Sequence, residues 1–190
     1  MKIIGVAGKK RSGKDTLFEV LHSFDKHVYR RAFADALKEE VASILGVSVA
    51  FMEEHKDQFR LGLQWYGTDF RRKMPVIGYD DYWLRAMDKW IHRFERQLCQ
   101  TKDSAVLVIP DVRFPNEVDY IHAKGGLVVK IERPSLVSTD SHLSENALND
   151  YDFDHTIRND GDLADYRHRI LGWFSTLTRE WVSPPDACNP

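Results

Sequence analysis

The residues with the clearest capacity for chemistry lie near the start of the chain, in Gly8-Lys9-Lys10-Arg11-Ser12-Gly13-Lys14-Asp15-Thr16. Gly8 and Gly13 let a backbone curl until its amides face inward around an oxyanion, and Lys14 can reach terminal phosphates. The apolar run Ile3 to Ala7 precedes this stretch, and the helical spacing of Leu17, Val20, Leu21 and Phe24 follows it. A buried strand would therefore feed a phosphate-binding loop, and the next helix would aim its positive N-terminus at the same anion. The slot after the lysine, where such loops carry Ser or Thr for magnesium, holds Asp15, with Thr16 next. Two roles are open to Asp15: a magnesium partner, since carboxylate is a harder ligand than hydroxyl, or an anion favoured at a helix N-terminus.

Three further candidates stand where other apolar runs end. Asp111 follows Ala105 to Ile109, the position from which a second carboxylate orients magnesium beside a phosphate loop; its alternative role is to cap the segment after Phe114. Arg113, two residues on, would project to the same side and could clamp a phosphate bidentately. Arg133 ends the run Leu127 to Ile131 and could meet charge developing on a transferred phosphoryl group. Either arginine could equally serve in a structural ion pair. The turn Asn159-Asp160-Gly161 lies where a purine could rest on backbone groups, although such tripeptides are ordinary turn formers.

The elements that must position these residues follow from periodicity. A weak strand is expected over His27 to Phe33, then a helix from Ala34, with Asp35 in its first turn and Gly46 as its stop. Residues 47–100 read as wholly helical: a helix over Phe59 to Lys73, a break at Met74 to Gly78, and a helix from Asp80 to Gln100 with the stripe Leu84, Met87, Ile91, Phe94 and Leu98. This block is an insertion placed to cover the phosphate loop. Strands over Ala105 to Ile109, Leu127 to Ile131 and Asp154 to Arg158 alternate with a helix over Pro115 to Lys124 and a closing helix through Leu163, Tyr166, Ile170, Phe174, Leu177 and Trp181. Residues 134–150 are polar and aperiodic, a loop or lid. The pattern predicts an α/β fold with a parallel sheet of about five strands, helices on both faces and the ligand at the carboxyl ends of the strands.

Composition narrows the partners. The 190 residues suit one domain over 1–183, with a frayed tail over 184–190, and 43% hydrophobic content is enough for a sizeable core. A formal net charge of -2 argues against a protein whose main work is gripping a nucleic acid polymer. Two cysteines, Cys99 and Cys188, have no paired spacing, so neither a disulfide framework nor a zinc site is indicated and a reducing cytoplasm fits. The N-terminal apolar run is too short for a signal peptide, and no stretch approaches membrane-spanning length.

Taken together, several motifs resemble the bacteriophage-type deoxynucleoside monophosphate kinases. They are Lys10 to Thr16, Phe33 to Lys38, Leu63-Gln64 with Gly67-Thr68-Asp69, Asp81-Tyr82-Trp83, Asp111 to Glu117, Glu132-Arg133-Pro134, His142 to Glu145, and Asn159-Asp160-Gly161. The resemblance covers nearly the whole chain, in order. It implies a three-layer P-loop kinase fold and magnesium-dependent transfer of the terminal phosphate of ATP to a deoxynucleoside monophosphate. Gly8 and Arg11 to Thr16, with Asn159 to Gly161, would then hold ATP, and Asp15 and Asp111 the metal. Lys14, Arg113 and Arg133 would carry the transfer. Asp35, Lys38, Gln64, Thr68, Asp69, Arg71 and Arg72 would hold the monophosphate. Ala36 stands where the family often has proline. The lid over 134–150 contains no lysine or arginine, unlike adenylate-type kinases, so charge stabilisation would fall to Lys14, Arg113, Arg133 and Arg11. Two roles are open to His142 and Glu145: orienting the closed lid, or simply being polar residues of an exposed loop.

Rival expectations are an animal-type phosphomevalonate kinase, which has a similar loop and Asp-x-Arg segment, and a nucleotide-binding module without turnover. An exposed apolar face on the helical block would suit a homodimer.

Overall fold

In the computed structural model, which describes residues 1–73, 81–98, 105–136, 147–148 and 151–182, the first strand is also the central one. β1 (Lys2–Ala7) is followed by α1 (Lys14–Phe24), β2 (Val28–Arg30) and α2 (Phe33–Leu45). The helical block comprises α3 (Val49–Glu54), α4 (Lys56–Gln64), a π-helical turn (Trp65–Phe70) and α5 (Tyr82–Leu98). Then come β3 (Val106–Val112), α6 (Pro115–Ala123), β4 (Leu127–Glu132), β5 (His155–Arg158) and α7 (Leu163–Val182). The strands form a 5-stranded sheet in the order β2-β3-β1-β4-β5, and every pairing is parallel. The α/β architecture expected from the alternation is therefore present, and β1 ends in the middle of the sheet's carboxyl edge.

Side-chain alternation along β1 explains the three layers. Ile4 and Val6 pack with Leu17, Val20 and Leu21 of α1 and with Tyr166, Ile170 and Phe174 of α7. Ile3 and Ala7 enter the opposite cluster with Phe33, Met87, Ile91, Val118 and Ile121, from α2, α5 and α6. The strongly apolar stripe expected on the long helix thus meets the sheet, with Met87 and Ile91 each only 2% exposed. Leu61 and Trp65 of the helical block are exposed, as is Ile44 of α2. Among the described residues no helix is long and apolar enough to cross a membrane.

Three boundaries differ from the sequence reading, each for a physical reason. β2 stops at Arg30 because Phe33 already opens α2, although the Arg31 amide still donates to the Val108 carbonyl. β3 does not end at Ile109 but runs to Val112. Its register against β1 slips between the pairs Gly5↔Ile109 and Ala7↔Val112, so an extra residue bulges at Pro110–Asp111. Proline has no amide to lose at a bulge, and the bulge re-aims Asp111. The helix expected over Phe59 to Lys73 is α4 running into the π-helical turn, where the Trp83 indole donates to the Gly67 carbonyl at 2.9 Å. The described part of 47–100 holds helices and no strand. The break expected at Met74 to Gly78 lies outside the described residues, as does most of the lid over 134–150.

Gly126 sits where β4 begins, and a Cβ there would lie 2.8 Å from the Ile3 carbonyl oxygen, a backbone atom that cannot step aside. Gly62 in α4 has nothing within 4 Å of its Cβ position. In urea unfolding, Gly126→Ala is expected to lose about 1–3 kcal/mol to overpacking, whereas Gly62→Ala is expected to gain about 0.5–1 kcal/mol from helix propensity.

Candidate active site

The loop after β1 is shaped by backbone in the left-handed region at Gly8 (φ 139), Arg11 (φ 65) and Gly13 (φ 111). Alternating such residues with ordinary ones turns successive amides toward a common centre. Both glycines are also required by close approach. A Cβ on Gly8 would stand 2.6 Å from the Ile131 carbonyl oxygen, and one on Gly13 would stand 2.7 Å from Asn159 Nδ2 and 2.9 Å from the Tyr166 ring. Arg11 holds a positive φ without that freedom, a strained conformation of the kind found at ligand clamps.

Two donors brace the loop from behind. Asn159 Nδ2 donates to the Ser12 carbonyl at 2.7 Å, and the Tyr166 hydroxyl donates to the Gly13 carbonyl at 3.0 Å. Burial pushes the Tyr166 phenol well above its ordinary value, which keeps it a donor. The brace places Asn159 at the loop itself, while Asp160 pairs with Arg169 at 2.7 Å. On the open side Lys14 Nζ donates to the Gly8 and Lys9 carbonyls at 2.6 and 2.8 Å, closing the loop with its own lysine. Ser12 is 1% exposed, and its Oγ is buried with no hydrogen-bond partner. An orphaned hydroxyl in so tightly curled a loop, whose Ser12 amide donates to the Lys9 carbonyl at 3.1 Å, fits an anionic oxygen that would accept from it. Asp15 stands exposed in the first turn of α1, and no side chain caps that helix.

A cavity of about 360 Å³ opens beside the loop at the ends of β3 and β4, walled by Gly8, Ser12, Arg113, Lys130, Arg133 and Phe153 among others. Arg113 and Arg133 both line this cavity, and Arg133 also donates to the Arg11 carbonyl at 3.4 Å. Lys130 was missed. Its ammonium stands 5.6 Å over the Phe153 ring, and a lysine interrupting an apolar parallel strand could have drawn attention to it. Pro134, Leu136 and Leu148 contribute to the wall from the lid region; His142 and Glu145 lie outside the described residues.

Asp111 has a different neighbour from the one anticipated. Its two oxygens accept the amides of Phe33 and Ala34, each at 2.8 Å, so it caps α2 rather than the segment after Phe114. Burial pushes this carboxyl up, opposed by those two amides and by Arg113. The segment after Phe114 is capped by Glu117, whose Oε2 accepts the Arg113 and Phe114 amides at 2.7 and 3.1 Å. Among the described residues no group of three or more His, Cys, Asp or Glu could hold a metal ion by itself. Of the two carboxylates expected at magnesium, Asp15 stands exposed on the first turn of α1, whereas both oxygens of Asp111 already accept amides.

On the helical side, the residues expected to hold an acceptor are gathered on α2, α4 and the turn after it, and many carry partners of their own. Asp35 accepts the Ala32 amide at 2.8 Å and pairs with Arg30; Lys38 pairs with Glu53. Thr68 is buried in the π-helical turn, which Gln64 adjoins. Asp69 pairs with Lys73 at 3.0 Å. Arg71 pairs with Glu40 and lies 4.6 Å over the Tyr82 ring, and Arg72 pairs with Glu117 at 2.5 Å.

The central strand of the parallel sheet thus delivers a loop closed by Lys14 beside a cavity lined by Arg113, Lys130 and Arg133. The family model for deoxynucleotide monophosphate kinase matches residues 50–170. A putative deoxynucleotide monophosphate kinase of Acanthamoeba polyphaga mimivirus is 30% identical over 185 residues, 90% of this chain and 95% of that protein. The deoxynucleotide monophosphate kinase of Enterobacteria phage T4 is 31% identical over 111 residues, 56% of this chain and 46% of that one. Among solved structures, TT1252 from Thermus thermophilus aligns over 96% of this chain and 98% of its own, with a TM-score of 0.47 and 16% identity. The chain belongs to the deoxynucleotide monophosphate kinase family.

If the rear brace shapes the loop, losing either donor should weaken nucleotide binding more than folding. Because a hydrogen bond of this kind contributes about 0.5–1.5 kcal/mol, Asn159→Ala and Tyr166→Phe should each raise KM for ATP by about twofold to tenfold. Steady-state kinetics with a thermal melt on each variant checks this.

Proposed function

We propose that the protein transfers the terminal phosphoryl group of ATP to a deoxynucleoside monophosphate, giving the diphosphate and ADP. The reading is carried by one observation, the braced loop with its orphaned Ser12 hydroxyl opening into a cavity lined by Arg113, Lys130 and Arg133, and it is supported by membership of the family. An acceptor phosphate oxygen forms the new bond to the terminal phosphorus, and the bond from that phosphorus to the bridging oxygen breaks. Because the acceptor is already anionic, little proton abstraction is needed, and positioning plus electrostatics carry the rate.

In this reading residues 1–183 work as one unit, with 47–100 as the acceptor side and 134–150 as the lid. The inward amides of Gly8 to Lys14 and the Ser12 hydroxyl hold the phosphate chain of ATP. Lys14 exchanges the Gly8 and Lys9 carbonyls for phosphate oxygens. Arg113 and Arg133 face the charge that develops as the phosphoryl group moves. Magnesium would be held by Asp15 from the first turn of α1 and by Asp111, direct or through water, and would neutralise phosphate charge. Asp35, Lys38, Gln64, Thr68, Asp69, Arg71 and Arg72 form the acceptor side.

A coupled ADP-release assay across deoxynucleoside and ribonucleoside monophosphates, with phosphomevalonate included, tests the reading. ADP release is expected with deoxynucleoside monophosphates, and Lys14→Ala should lower kcat about a hundredfold to a thousandfold. Turnover with phosphomevalonate alone, or near-normal turnover by Lys14→Ala, would contradict it.

A further inference from the structure

Arg113 stands at the phosphate cavity, yet its backbone is held from a direction that has nothing to do with phosphate. Its amide donates to Glu117 Oε2 at 2.7 Å, and the Phe114 amide donates to the same oxygen at 3.1 Å. The other oxygen of Glu117 takes Arg72 at 2.5 Å. Arg72 is the second residue after the π-helical turn of the acceptor side, and its guanidinium lies 4.3 Å over the Phe114 ring. Both partners are deeply buried, with side chains 9% and 3% exposed for Arg72 and Glu117. A helix N-terminus needs only an exposed short polar side chain for its cap. A fully buried glutamate that shares itself between two amides and an arginine on another element does more than that: it fixes the backbone that carries Arg113 to the segment that carries Thr68, Asp69 and Arg71.

We propose that Glu117, held by Arg72, is a positioning residue that aims Arg113 at the transferred phosphoryl group and ties that aim to the acceptor side. The inference rests on the kinase reading above. Glu117 touches no reacting atom. It sets the direction in which Arg113 leaves β3, and Arg72 keeps the carboxylate turned toward the Arg113 and Phe114 amides. Phe114 contributes by stacking on the guanidinium, which keeps water from the pair.

The test is a double-mutant cycle on kcat in the full chain, with ATP and the best deoxynucleoside monophosphate of the panel, using Glu117→Gln, Arg113→Met and the double variant. Glu117→Gln keeps the size of the side chain and one acceptor oxygen but loses the charge. It should lower kcat by about tenfold to a hundredfold, the scale of a small misplacement of a catalytic group, and in the Arg113→Met background it should have about no further effect. Glu117→Asp, which keeps the charge but shortens its reach to the Arg113 and Phe114 amides, should follow the same pattern more weakly and serves if Glu117→Gln does not fold. Equal losses in both backgrounds, or an unchanged kcat in Glu117→Gln, would overturn the positioning role alone. A wild-type kcat in Arg113→Met would instead overturn the place given to Arg113 in the proposed reaction, and this inference with it.

Discussion

The rest of the molecule depends on holding Gly8 to Lys14 in a shape that a polypeptide does not adopt unaided. Three left-handed residues in so short a stretch are costly in conformational freedom. The cost is offset by confinement: the loop lies against the Ile131 carbonyl on one side and against Asn159 and Tyr166 on the other. That confinement explains why the loop follows the central strand. There β4 and α7 both press on it, and there the α1 N-terminus and the cations that follow β3 and β4 converge. Lys14, bonded to the Gly8 and Lys9 carbonyls, keeps the loop closed around the place where an anion would sit.

The second constraint is the joining of the helical block to the sheet. Two buried carboxylates do this from the same edge. Asp111, swung aside by the bulge at Pro110, takes the first amides of α2, and Glu117 takes Arg72 from the turn after α4. Burying charge is unfavourable in itself, and burial pushes both carboxyls upward. Asp111 is kept by two amides and Glu117 by two amides and Arg72, so removing Arg72 would strand the Glu117 charge at a cost of about 3–5 kcal/mol. A covering block held this way has a fixed relation to the phosphate cavity, which an apolar contact alone would leave free to slide.

How much of this could be read from residues alone depends on whether the cause was local. The loop was legible because glycine spacing, the flanking strand and the following helix lie within a few turns of one another. The sheet was legible because apolar runs such as Val106 to Ile109 admit one environment. The bulge was not legible, since Pro110 ends a strand as readily as it marks a bulge. The roles of the cations on the helical block were also hidden: Arg71 and Arg72 find Glu40 and Glu117, which are 31 and 45 residues away. Tyr166 was visible as a core residue of the closing helix, but nothing in its spacing announces a hydroxyl aimed at Gly13. The cap made by Asp111 was not legible, because Phe33 and Ala34 approach it only through the fold.

In the proposed function the backbone of Gly8 to Thr16, braced by Asn159 and closed by Lys14, grips the phosphate chain of ATP. Amide-resolved NMR during titration with a non-hydrolysable ATP analogue and magnesium addresses it directly. The largest shifts should fall on the amides of Gly8 to Thr16 and on the Asn159 side-chain amide, and the loop shifts should be lost in Lys14→Ala. Saturable shifts centred on the outer groove between β5 and α7, at residues such as His155 and Trp173, with the loop amides unmoved, would contradict the account.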